Sequence, residues 1–348
     1  MKLQKNDYRG TGLHLDGADR PLSTDVAEVR ALLQRCPEAR ETPLIDARAL
    51  AAAHDLGALH VKDERNRMGL GSFKALGAAF VIARDAAQGH AMAERVYVTA
   101  SAGNHGLSVA MGARVFGAQA VIYIAETVPE AFAERLRGLG ARVIREGTIY
   151  EEGMAAAQKA AAEQGWELLS DSSWPGYLDP PHGVMQGYLV MAAEAAEAIT
   201  APPTHIFLQA GVGGMAAAAA AYARNVWGDT PIITVVEPEA APALINSIRA
   251  GAVTASAGPV STMGRLDCKE PSLLALAGLS RDADFFLTID DDAVARTIAG
   301  LGAYGLGTSP SGGAGLAAAL DPALDRDAIG LGPDARILTY LSEGAVDE

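Results

Sequence analysis

The 348-residue chain has only two cysteines, Cys36 and Cys268, far apart and outside any CxxC pattern. That excludes a disulfide scaffold and a thiolate zinc site, and a reducing cytoplasm is the expected setting. The seven histidines are scattered, with no HxxxH or HExxH spacing, so no catalytic transition metal is expected. Basic residues are in deficit: 28 Lys and Arg against 42 Asp and Glu give a net charge of −14. This argues against nucleic acid or an anionic membrane as a partner. Every apolar stretch is broken by glycine, charge or proline before it could span a bilayer. The N-terminal MKLQKNDYRGTG has no apolar run, so no secretory signal is expected.

What is present is an ordinary globular composition, 49% hydrophobic and 20% charged, long enough for two domains. Short apolar strands alternate with helices. Strands are expected at 58–62, 96–99, 120–124, 142–144, 205–208, 232–236, 285–289 and 336–340. Helices are expected between them, many alanine-rich as helix propensity favours, with a first one from a Ser23-Thr24-Asp25 cap to Cys36 and a stop at Pro37. This alternation predicts an α/β fold of mainly parallel sheets covered by helices on both faces, in three α/β/α layers.

Two stretches carry chemistry. GLGSFKALGAAFV (69–81) puts Lys74 at the head of an apolar helix, where an ammonium needs a partner or must lose its proton. QAGVGGMAAAAAAYARNVWG (209–228) opens a helix with Gly211, Gly213 and Gly214, a loop whose amides suit a phosphate. Gly211, Gly213 and Ala216 also fit G-x-G-x-x-A, and Glu237 ends the next strand where a ribose-binding acid would stand. That keeps a nicotinamide-binding oxidoreductase open. Against it, the loop comes late in the chain and Pro238 follows Glu237 directly.

Three further motifs complete the pattern: Ser72-Phe73-Lys74, Ser101-Ala102-Gly103-Asn104-His105 at a strand-to-helix turn, and Leu341-Ser342-Glu343-Gly344 after the last strand. Together they resemble the pyridoxal-phosphate enzymes of the tryptophan-synthase β-like fold (fold type II), over about residues 42–344. Lys62-Asp63-Glu64, the stretch DSSWPGYLDPPHGVMQGY from Asp171, Ala210 to Met215 and Cys268-Lys269-Glu270-Pro271 look most like the diaminopropionate ammonia-lyases, with threonine and serine dehydratases next. Where the diaminopropionate enzymes carry an aspartate implicated in taking the D-isomer's α-proton, this chain has Ala102, as the dehydratases do. The resemblance therefore implies a β-hydroxy amino acid or the L-diamino acid as substrate.

It further implies that Lys74 forms a Schiff base with pyridoxal 5′-phosphate beside Phe73 and later moves the α-proton. Gly211, Val212, Gly213, Gly214 and Met215 would hold the phosphate, and Asn104 the 3′-oxygen. The amides of Ser101, Ala102, Gly103, Asn104 and His105 would receive the substrate carboxylate. Ser342, or alternatively Thr339, would face the pyridine nitrogen, and Asp171 would be a second acid–base group. Trp174 and Tyr177 are pocket or core residues, and His182 reads as a loop residue. The implied architecture is a large domain of 1–92 and 191–348 with a small domain, 93–190, inserted; a homodimer is implied too. The implied reaction is α,β-elimination to a 2-oxo acid and ammonia. β-Replacement of the cysteine-synthase kind and a catalytically silent binding protein are the other readings.

Overall fold

The computed structural model describes residues 1–36 and 38–345; the helix stop expected at Pro37 lies outside them. In chain order the elements are β1 (Lys2–Lys5), α1 (Ala27–Leu33), β2 (Leu44–Asp46), α2 (Arg48–Ala53), β3 (Ala58–Asp63), α3 (Lys74–Ala87), β4 (Val96–Ala100), α4 (Asn104–Phe116), β5 (Gln119–Ile124), α5 (Glu130–Gly138), β6 (Arg142–Arg145), α6 (Tyr150–Gln164) and β7 (Glu167–Leu168). They continue with α7 (Asp179–Ala198), β8 (His205–Gln209), α8 (Gly214–Trp227), β9 (Ile232–Pro238), α9 (Ala243–Ala250), α10 (Leu273–Asp282), β10 (Phe285–Ile289), α11 (Asp291–Leu301), α12 (Pro310–Leu320) and β11 (Arg336–Leu341).

They build two sheets. One has seven strands in the order β1-β10-β9-β8-β11-β3-β2, parallel except for the antiparallel edge strands β1 and β2. The other has four parallel strands, β6-β5-β4-β7. The central strands are mostly apolar because helices cover both faces; every residue of β8 is buried. All eight expected strands are present. β1, β2 and β7 are additions of four, three and two residues, too short and too polar to carry an apolar pattern.

The smaller sheet draws all its strands from residues 96–168. Helix α7 runs unbroken through residue 190, packing on α3 and α8. The α3 and α7 backbones approach closely: a Cβ on Gly187 would lie 2.5 Å from the Leu76 carbonyl, and one on Gly77 would lie 2.7 Å from the Tyr188 ring. Glycine at both places lets α3 sit deep against α7, and this fixes where Lys74 emerges.

Strand register brings the functional loops together. In β11 and β3, Tyr340 stands beside Lys62 and Leu341 beside Asp63. β8 is parallel to β11 on its other side. The loops leaving β3, β11 and β8 therefore exit one edge of the sheet, the carboxyl edge where α/β proteins place ligands.

Candidate active site

Lys74 is the first residue of α3 and Phe73 its N-cap. Both are anchored to the loop after β11: the Phe73 N–H donates to the Ser342 carbonyl (3.1 Å), and Ser72 forms a β-bridge with Glu343. The Lys74 ammonium lies 5.3 Å from the centroid of the Phe73 ring and 5.9 Å from that of Tyr188, and those rings meet edge to face at 4.8 Å. Among the described residues it hydrogen-bonds only the Asp171 carboxylate, which follows β7. The lysine and aspartate side chains are 21% and 16% exposed.

Burial works against charge on both groups, but each offsets it for the other. Desolvation lowers the Lys74 pKa, but the Asp171 charge and hydrogen bond, together with Tyr188 and Cys268, more than restore it, so the net shift is upward. Desolvation raises Asp171, and the charges of Lys74 and then His105 outweigh it, holding the carboxyl well below the usual range. The pair is therefore ionised at neutral pH. The lysine keeps its proton here by having a partner, the first of the two options its sequence allowed.

The glycine loop stands directly behind. Gly213 has φ +98°, and a Cβ there would lie 3.1 Å from that of Ala275. A Cβ on Gly211 would lie 2.9 Å from Cys268 Sγ and 3.0 Å from the Arg265 carbonyl. Side chains are thus kept out of a cradle at the N-terminus of α8. Among the described residues the N–H groups of Gly211, Gly213 and Gly214 donate to nothing. A helix N-terminus with free amides is an anion site. Burial pushes the Cys268 thiol up to about 12, so it stays protonated beside the cradle.

The turn Ser101–Gly103 leads from β4 into α4, whose first residue is Asn104. The Asn104 side chain donates to Glu343, whose other carboxylate oxygen accepts from Ser309. This joins the two sheets across the cleft. Ala102 is partly buried against the main core. His105 turns inward: Nε2 meets the Leu169 carbonyl at 2.8 Å, Nδ1 has no partner among the described residues, and burial lowers its pKa. Only its backbone is available to a carboxylate. Ser342 is buried, its N–H donates to Gly312 O (3.1 Å), and its hydroxyl alone is free of hydrogen bonds among the described residues. Thr339 is spent on the Phe207 carbonyl (3.2 Å) inside the sheet.

Several expectations are resolved by these contacts. Glu237 is buried and accepts from the amides of Leu244 (2.7 Å) and Ile245 (2.8 Å), so it caps α9 and faces no ribose. His182 is not a loop residue: it lies buried in α7 with Nε2 3.0 Å from the Pro21 carbonyl. The Tyr177 hydroxyl ties down the chain, donating to Leu168 O (2.7 Å) and accepting from the Ser170 amide (3.0 Å), with Trp174 stacked on its ring at 4.3 Å.

Residues 36–343 match the family described as "Pyridoxal-phosphate dependent enzyme". This chain belongs to that family. It is 31% identical to the diaminopropionate ammonia-lyase of Escherichia coli K12, over 91% of this chain and 88% of the relative. It is 27% identical to the L-threonine ammonia-lyase of Thermotoga maritima, over 70% of this chain and 57% of that one. The crystal structure of the Escherichia coli diaminopropionate ammonia-lyase with an aminoacrylate-PLP azomethine reaction intermediate superposes with a TM-score of 0.88, at 28% identity, covering 99% of this chain and 93% of that one.

The residues present fit this pyridoxal-phosphate family's cofactor. The unspent amides of the glycine cradle suit its phosphate, the amine of Lys74 suits its aldehyde, and the unpartnered hydroxyl of Ser342 suits a ring nitrogen. Sequence reasoning missed Tyr150, the first residue of α6. The residue is 52% exposed, but burial at its phenol and then the charge of Asp171 raise its pKa, so the hydroxyl lies within electrostatic reach of the Lys74–Asp171 pair. No local pattern in TIYEE marks it, since only the approach of the two sheets brings it there.

Proposed function

We propose that this pyridoxal-phosphate enzyme eliminates the β-substituent of a small amino acid, releasing a 2-oxo acid and ammonia. The observation that carries the reading is the Lys74–Asp171 pair set between the glycine cradle and the Ser101–His105 turn. When bound, the cofactor draws electrons from Cα, so that its proton can be removed and the β-substituent can leave. The chain supplies the rest. Lys74 would give up its proton to solvent as its amine takes the cofactor's aldehyde, which would remove the charge that holds Asp171 ionised, and the amine, once freed by substrate, would act as base. The same carboxyl, once protonated, is an acid for the departing β-group. The amides of Ser101 to His105, at the start of α4, orient the substrate carboxylate. Ser342 offers a hydroxyl where a carboxylate would hold the ring nitrogen protonated, which suits elimination over transamination.

Ala102 and the threonine- and serine-type relatives support a β-hydroxy amino acid or an L-diamino acid over D-diaminopropionate. We further propose that the smaller sheet is the core of an inserted domain, 93–190, its last helix shared with the larger domain of 1–92 and 191–348. A homodimer in the cytoplasm is part of the same reading.

The test is reduction of the purified holoenzyme with borohydride and mass mapping, with ammonia release from L-serine, L-threonine and L-2,3-diaminopropionate as the activity readout. The expected result is cofactor mass on Lys74 and loss of turnover by at least about 10³-fold in Lys74→Ala. Cofactor mass on another lysine would refute the assignment. A requirement for sulfide would make the enzyme a β-replacement catalyst.

A further inference from the structure

Arg265 lies between the two anion-receiving loops. Its N–H donates to Ser311 Oγ (3.0 Å), and its carbonyl abuts the cradle at Gly211. Its side chain crosses to the other loop. Nη1, Cζ and Nε lie 3.1, 3.2 and 3.4 Å from the position of a Cβ on Gly103, so the guanidinium plane rests flat on that glycine. Cζ stands 5.8 Å from the centroid of the Phe132 ring in α5. The nearest carboxylate oxygen, Glu343 Oε2, is 3.9 Å from Nε, and both Glu343 oxygens already accept from Asn104 and Ser309.

A guanidinium carries five N–H donors. Among the described residues none of those of Arg265 makes a hydrogen bond, and the side chain is 35% exposed. This is an arginine held in place by stacking, with its donors unspent, at the rim of a substrate cleft. The amides of the glycine cradle suffice for a phosphate, and those of the 101–105 turn for an α-carboxylate. A hydroxymethyl or aminomethyl side chain would give Arg265 no anion to bind.

We propose that Arg265 is a specificity residue that receives a second carboxylate, carried by the substrate on its β-carbon. The substrate class is then a β-hydroxy amino dicarboxylic acid. The inference rests on the elimination reading above. The Cα–H and Cβ–OH bonds break, water leaves, and the released enamine takes up water and frees ammonia. No oxidant or reductant is required. Guanidinium and carboxylate match as a two-pronged pair, which lysine cannot reproduce.

The test uses holoenzyme, Arg265→Gln and Arg265→Lys with 3-hydroxyaspartate and L-serine. The expected result is a kcat/KM for one 3-hydroxyaspartate isomer at least about tenfold above that for serine. That ratio falls at least about tenfold in Arg265→Gln, mainly through KM, and by less in Arg265→Lys. An unchanged ratio, or equal losses on both substrates, would overturn the proposal and give Arg265 a structural or α-carboxylate role. A second readout is the change in cofactor absorption on titration with L-aspartate or L-alanine, neither of which has a β-leaving group. Tighter binding of aspartate, abolished by Arg265→Gln, upholds the specificity role even if no substrate yields ammonia and the elimination reading fails. Equal binding of the two sinks it.

Discussion

Two charge clusters sit on either side of α3's start, and they are built differently. In the first, Lys62, Glu64, Arg67 and Glu194 are almost wholly buried. Arg67 donates to both oxygens of Glu64 (2.7 and 2.7 Å), to both of Glu194 (3.0 and 2.6 Å), to the Arg40 carbonyl (2.8 Å) and to the Thr42 hydroxyl (2.9 Å). Lys62 donates to Glu194 and to the Thr42 carbonyl, both at 2.5 Å. Two cations meet two anions, and the arginine donors are saturated. In the second cluster Lys74 has one carboxylate and two aromatic rings. Saturated charges hold the chain; a charge with a single partner can exchange that partner for a ligand. The first cluster ties segment 40–42, β3 and α7 together and so anchors the loop that ends at Lys74. The second is the one the proposed elimination uses.

The sharpest way to break this contrast is to remove one cation from each cluster. Arg67→Met leaves Glu64 without its main partner in a buried setting, and should cost about 3–5 kcal/mol of unfolding free energy in urea. Lys74→Met should cost far less, since Asp171 can protonate or rehydrate in a partly exposed cleft, while abolishing turnover. Equal stability losses would mean that the Lys74 pair is structural.

Glu237 sharpens the comparison from the other side, as a buried acid without a cation. Burial raises its pKa to about 8 despite the amide donors of Leu244 and Ile245. Its unfolded pKa is about 4.3. The folded state therefore binds more protons between those values, so its stabilising contribution is full below about pH 4 and is lost as pH rises through about 8. Unfolding free energy should fall by up to about 1.4 kcal/mol per pH unit within that window. Glu237→Gln should remove that slope; an unchanged slope would assign it elsewhere.

The sequence made the reactive cluster more legible than the structural one. Lys74, the glycines at 211–214 and Ser342 stand at strand-to-helix or strand-end turns, where local pattern marks them. Asp171 was visible only through a family likeness. Arg67 and Glu194 are 127 residues apart, and nothing local marks either, because their meeting depends on α7 folding back over β3. Tyr150 and Arg265 were hidden for the same reason: each reaches the cleft from an element that approaches only in the folded chain. Glu237 shows the converse. Its place after a glycine-loop helix looked like a ribose site, but the turn at Pro238 directs the carboxylate onto the amides of α9.

The smallest effect tests whether the first cluster is as redundant as its geometry implies. The Thr42 hydroxyl donates to Glu64 Oε1 (2.6 Å) and accepts from Arg67 Nη2 (2.9 Å). Thr42→Val keeps the shape and the carbonyl that receives Lys62, and removes only the hydroxyl. Glu64 still has both arginine bonds, and Nη2 still has Glu64 and Glu194. The loss should therefore stay within the net value of those two hydrogen bonds, about 1–2 kcal/mol, measured by the same urea titration. A loss approaching that of Arg67→Met would mean that the bonds reinforce one another. The cluster would then be one cooperative unit, and the loop before Lys74 would depend on every member of it.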